Sequence, residues 1–236
     1  MSARRLLVAG GGCYGAHYAR ELVPRLTSGP WEGARLEILD RDRHCAAEGL
    51  AGGPVSLVAG AWDDLLAARV AAGARDWLVP APLTPHLFAR WLGRALALLG
   101  EAEEIEPPLL PETPFARLTG TRLVFSFAEW RCPTHCVEPA CCPATRQPKS
   151  WDLGRALAAY AAALRASGIL PLAGPFVGRL APVARGVSGF PLSDWARAAR
   201  RTRALLERRR HAYVLAATAS SCHGAASLWK VTRTRS

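Results

Sequence analysis

The sequence predicts an α/β fold built on a doubly wound, mostly parallel sheet, Rossmann-like, with a cysteine-rich loop after a later strand. Three observations carry that expectation. The apolar run Leu6-Leu7-Val8-Ala9 feeds directly into Gly10-Gly11-Gly12-Cys13-Tyr14-Gly15, and Ala16 to Leu22 follows as a helix. A second run, Leu36-Glu37-Ile38-Leu39, closes on Asp40. Apolar runs then keep alternating with helix-compatible stretches as far as Leu99, the pattern of right-handed crossovers between parallel strands covered on both faces. Apolar residues make up 50% of the 236, enough to fill the core of one large domain or two small ones.

Each element has its own local reason. After Asp40 come a polar turn, Arg41-Asp42-Arg43, a short helical segment, and a third strand, Val55 to Ala59. Trp62 to Ala72 reads as a helix with Leu65, Leu66 and Val70 on one side and Gly73 placed to end it. Trp77-Leu78-Val79 is the fourth strand; it breaks at Pro80-Ala81-Pro82 before a helix from His86 to Leu99. The acidic and proline-bearing stretch 101–118 reads as a linker, dividing a dinucleotide-binding half, 1–100, from a second half, 119–236. Leu123 to Phe127 is a strand by its β-branched and aromatic content. Ser150 is placed to cap a helix in which Leu153, Leu157, Tyr160 and Leu164 recur at helical spacing before Gly168. Residues 171–191 give no clear pattern, Trp195 to Arg210 reads as an arginine-laden helix, and Ala212 to Ala216 as a last strand before Cys222-His223.

The glycine turn supplies the first functional expectation. In the pattern G-x-G-x-x-G, Gly10 permits a tight turn, Gly12 lets the backbone approach a pyrophosphate, and Gly15 lets helix and strand pack closely. Unpaired amides at the helix start would face the phosphates. Asp40 is the carboxylate for the ribose hydroxyls, while Arg41 and Arg43 would suit a 2′-phosphate, so the cofactor is NAD or NADP. S-adenosylmethionine, in a methyltransferase, is a further reading of the same glycines and acid.

The Gly10 to Gly15 loop, Asp40-Arg41-Asp42, and Val58-Ala59-Gly60-Ala61-Trp62-Asp63-Asp64-Leu65-Leu66 leading through Ala72-Gly73 to Asp76 together resemble the TrkA-N type of NAD(P)-binding domain. That resemblance covers the N-terminal half only. It implies phosphate contacts from Gly10, Gly12 and Gly15 and a ribose contact from Asp40. The family's usual Gly-Asp is Gly60-Ala61 here, and a cysteine motif stands where its companion domain would be.

That motif, Cys132-Pro133-Thr134-His135-Cys136-Val137-Glu138-Pro139-Ala140-Cys141-Cys142-Pro143, holds four of the chain's seven cysteines and an imidazole. Its spacing matches neither the paired C-x2-C of zinc ribbons nor the C-x3-C-x2-C of radical iron–sulfur enzymes. If the strands before it and before Cys222 run parallel to the first strand, the motif and Cys222-His223 share the glycine loop's sheet edge. Cys132, Cys136, Cys141 or Cys142, and Cys222, with His135 or His223 as substitutes, would then hold zinc or an iron–sulfur cluster; reactive thiols and a stiff unligated loop are the alternatives. Glu129 and Glu138 flank the motif as candidates for proton transfer.

Charge and hydropathy bound the rest. The net charge of +11 comes almost wholly from arginine, which a GC-rich coding sequence also favours, so the helix bearing Arg197, Arg200, Arg201, Arg203, Arg208, Arg209 and Arg210 reads as a basic solvated face rather than a nucleic-acid site. The longest uncharged stretch, Ala212 to Trp229, is interrupted by polar residues, and no secretory signal precedes the first strand. A cytoplasmic, dinucleotide-binding redox protein, possessing a small-molecule or protein redox partner, is the resulting expectation; a non-catalytic nucleotide or redox sensor is its alternative.

Overall fold

Strands form where the chain is apolar on both faces or alternates cleanly, and helices form between them. The computed structural model describes residues 4–71, 75–80, 87–130, 136 and 139–234. In chain order the elements are β1 (Arg5–Ala9), α1 (Cys13–Leu22), β2 (Arg35–Asp40), β3 (Val55–Ala59), α2 (Trp62–Ala71), β4 (Trp77–Pro80), α3 (Leu87–Ala97), β5 (Glu101–Ile105), β6 (Phe115–Thr119), β7 (Arg122–Ser126), α4 (Leu153–Ala166), β8 (Leu172–Arg179), β9 (Ala181–Ala184), β10 (Val187–Pro191), α5 (Ser193–Leu206), β11 (His211–Ala219) and β12 (His223–Thr232). They divide into two units, one of residues 1–87 and 181–196, the other of residues 88–180 and 197–236. No helix among the described residues is long and apolar enough to cross a membrane.

The first unit carries a six-stranded sheet in the order β3-β2-β1-β4-β10-β9. Only β1 to β4 run parallel to one another; β10 is antiparallel to β4, and β9 to β10. Leu6, Leu7, Val8 and Ala9 are fully buried, as continuous apolar strands in the middle of a sheet must be. Leu22, Leu36, Ile38 and Trp31 continue the core against α1. Two carboxylates are buried in the same unit: Asp76 accepts from Arg5 Nε at 3.0 Å, and Glu37 pairs with Arg5 at 3.5 Å and with Arg69.

The second unit carries another six strands, in the order β6-β7-β12-β11-β8 with β5 also pairing β12. Its strand pairs are antiparallel except β8 with β11. Leu123, Phe125, Leu157, Leu164, Leu215 and Leu228 meet between this sheet and α4. Asp152, not Ser150, caps α4, its Oδ1 accepting from the amides of Gly154 at 2.8 Å and Arg155 at 3.3 Å. Tyr160 donates its hydroxyl to Leu109 O at 2.9 Å and fixes the segment after β5 on α4.

The doubly wound, mostly parallel sheet is thereby overturned: the chain builds two mixed sheets. Hairpins are the physical reason. Gly120, with φ +62°, and Thr121 turn β6 directly into β7, and a two-residue turn of this kind can only join antiparallel strands. The stretch 101–118, expected as a linker, contributes β5 and most of β6, because Glu101 and Glu103 alternate outward and Glu103 lies opposite Lys230 on β12. Residues 171–191 form β8, β9 and β10.

Candidate functional site

At the carboxyl end of β1 the chain turns sharply at Gly10, whose φ is +104° and whose amide donates to Leu39 O at 2.8 Å. A Cβ on Gly15 would overlap the Gly10 carbonyl, so the close approach of α1 to the loop requires glycine there. Gly12 is different. It is the N-cap of α1, in ordinary extended conformation with φ −66° and ψ −166°, and a Cβ on it would meet nothing within 4 Å.

The carboxylate of Asp40 shapes this loop from the neighbouring strand. Oδ2 accepts from the Gly11 amide and Oδ1 from the Asp42 amide at 3.0 Å. The segment after β2 then folds over the glycines: Ala47 donates its amide to Gly11 O at 2.9 Å, and Cys45 packs so closely that a side chain on Gly11 would strike its sulfur. From β1 the chain passes outward to β2 and β3, then returns to β4 on the other side of β1. In parallel sheets such a reversal leaves a crevice at the carboxyl edge, and Gly10 to Gly12 stand beside it.

The cysteine motif and Cys222 belong to the second unit, so the expected shared edge with the glycine loop is corrected: β1 lies in one sheet, β7 and β11 in the other. Within the second sheet, β7 and β11 are each antiparallel to β12, which brings the Ser126 end of β7 and the turn at Cys222 to one edge. Phe127 donates its amide to Cys222 O at 3.0 Å.

Residues 140–149 form a tight hairpin, with Cys142 N donating to Gln147 O and Lys149 N to Ala140 O, each at 2.9 Å. Extended backbone points successive side chains to opposite sides, so Cys141 is exposed and Cys142 buried. The amide and hydroxyl of Thr145 and the amide of Ala144 hold the Cys142 thiol below its ordinary pKa, with Lys149 adding to the effect against the opposing cost of burial. Lys149 Nζ also donates to Ser221 Oγ at 3.1 Å, and Ser221 Oγ lies 3.6 Å from Cys222 Sγ. One ammonium therefore ties the Cys142 hairpin to the buried Cys222.

His223 holds its Nδ1 2.8 Å from Ser126 Oγ, which also accepts from the Ala128 amide and donates toward Cys222 O at 3.1 Å. Such a contact fixes the orientation of the ring. Cys136 is half-buried. Cys132, His135, Glu138 and His86 lie outside the described residues. Among the described residues no group of three or more His, Cys, Asp or Glu side chains is gathered as a metal site, so Cys136, Cys141, Cys142, Cys222 and His223 do not form one by themselves. Sequence reasoning missed Lys149, Ser126 and Ser221. Lys149 had a signal: it is one of only two lysines in an arginine-rich chain, seven residues after Cys142.

Residues 89–232 match the family model AF_1314_C, described as "Uncharacterized protein, C-terminal domain". The match takes in the cysteine segment and leaves the glycine loop, which carries the TrkA-N resemblance, outside it. No curated protein and no solved structure matches the chain. The family model spans more than half of the sequence, and the chain belongs to that family.

Proposed function

We propose that the chain is a dinucleotide-binding redox protein, with NAD or NADP on the glycine loop of the first unit and thiol or metal chemistry at the Cys142, Cys222 and His223 corner of the second. The observation that carries the nucleotide is the open space in front of Gly12, at the start of a helix and beside the strand-order reversal. Asp40 retains lone pairs beyond the two that its backbone partners use, and these accept from ribose hydroxyls. The exposed Arg41 and Arg43 would receive a 2′-phosphate.

Gly12→Val places a side chain in that space, where its Cβ meets nothing within 4 Å, so it should abolish dinucleotide binding while the protein stays folded, at a helix-capping cost of about 1 kcal/mol. Calorimetry with NAD, NADP, FAD and S-adenosylmethionine on both proteins reads the result. Binding of S-adenosylmethionine alone would replace this reading with a methyltransferase; equal NAD binding by both proteins would remove the glycine loop from it.

For the second centre, a metal would need ligands beyond Cys222 and His223, which the cysteine motif carries in sequence. Protein purified anaerobically should contain zinc or iron, and Cys222→Ser should lose most of it while Cys13→Ser and Cys45→Ser do not. Metal-free wild-type protein with a titratable Cys142 thiolate would leave thiol chemistry as the second centre's role.

A further inference from the structure

Beside α4 in the second unit lies an open cleft of about 750 Å³, within the size range of small-molecule sites. Aromatic rings form its apolar walls. Phe127 and Trp151 stand nearly parallel, 18° apart with centroids at 6.0 Å, and Trp130 stands at 57° to Trp151 with centroids at 6.2 Å. All three remain only half-buried, although large rings contribute most when fully covered. On the helix side Ala159 is small and exposed, which leaves the cleft open above the first turns of α4.

The remaining lining is polar. Gln147 and Ser150 are exposed and offer hydrogen bonds along one side. Arg155, with a side chain 91% exposed, stands at the cleft, and the neighbouring carboxylate of Asp152 is 3.8 Å away and occupied with capping α4. The indole N–H groups of Trp130 and Trp151 are buried without a hydrogen-bond partner among the described residues. An aliphatic chain would leave Gln147, Ser150 and Arg155 without purpose. Flat π-faces, in-plane hydrogen-bonding groups and a cation at the mouth match a flat ring with a polar edge and an anionic tail.

From this geometry we infer that the cleft lined by Phe127, Trp130, Trp151, Gln147 and Arg155 binds a planar heteroaromatic ring carrying an anionic substituent, the chemistry of a mononucleotide. The cleft is lined by second-unit residues alone, and the inference does not rest on the glycine loop.

The test uses the full chain bearing Gly12→Val, and the wild type beside it, with adenosine monophosphate as probe in saturation-transfer NMR. Expected are saturable binding in both proteins, strongest transfer to the base protons, and about tenfold weaker binding of adenosine, the loss of one charge-assisted contact. Arg155→Ala should bring adenosine monophosphate down to the adenosine level. Ala159→Trp, at an exposed helical position, should abolish binding of both with the circular dichroism spectrum unchanged. The inference is overturned if the probe does not bind, if ribose 5-phosphate binds as well as adenosine monophosphate, or if binding survives Ala159→Trp. Failure of NAD binding at the glycine loop leaves these outcomes untouched, so the two proposals fail separately.

Discussion

Gly15→Ala should destabilise the first unit by about 3 kcal/mol, the upper part of the range for forced overpacking. In an unconstrained helix the same change would stabilise by about 1 kcal/mol, because glycine is the more flexible residue. The sign is decided by contact. A methyl group at this position lands on the Gly10 carbonyl, which is backbone and cannot swing aside, and Gly10 is itself held by its hydrogen bond to Leu39 O. Relief requires α1 to lift away from β1, exposing Ala16, Ala19 and Leu22, which are buried. Urea unfolding of Gly15→Ala beside Gly12→Ala is the measurement. Equal stability of the two variants would show that the loop is looser than its geometry implies.

Arg5→Leu should cost about 3–5 kcal/mol, the usual penalty for breaking one partner out of a buried ion pair. Arg5 reaches Asp76 through Nε at 3.0 Å and through a terminal nitrogen at 2.8 Å, and Asp76 is only 2% exposed. Its guanidinium pKa is raised, chiefly by that hydrogen bond, while burial works against it. Glu37 keeps Arg69 after the substitution, but Asp76 loses the guanidinium that pairs with it. Arg5→Leu with Asp76→Leu should recover most of the loss, since an apolar pair avoids desolvating either charge. Chemical denaturation of the single and double variants reads the coupling. A single-variant cost below about 1 kcal/mol would mean that water reaches Asp76 in solution.

What the sequence made legible were elements whose signal is local. Leu6 to Ala9 and Leu36 to Leu39 are strands because their neighbours demand burial on both faces, Val55 to Ala59 is an edge strand by its apolar run, and Trp62 onward is a helix by its spacing. Strand direction is not local. Nothing within Leu123 to Phe127 says that β7 pairs backward with β12, and β12 itself was hidden because Ala225, Ala226 and Ser227 have little strand preference of their own. The Gly120-Thr121 and Arg185-Gly186 turns were short-range clues to antiparallel pairing. At the candidate sites, glycine spacing singled out Gly10, Gly12 and Gly15, whereas the docking of Lys149 onto Ser221 depends on a turn 72 residues away and leaves no mark in spacing.

The inserted hairpin of the first unit has a consequence for synthesis. β10 completes the edge of β4, pairing Phe190 with Leu78, and Phe190, Leu192 and Trp195 are buried. These residues emerge from the ribosome roughly 110 residues after β4, which at usual elongation rates is a delay of about 5–20 s. During that interval β4 has an unpaired edge and the apolar surface meant for Trp195 is uncovered, a condition that invites pairing with other chains. A chain truncated after α3 should therefore aggregate where the full chain does not.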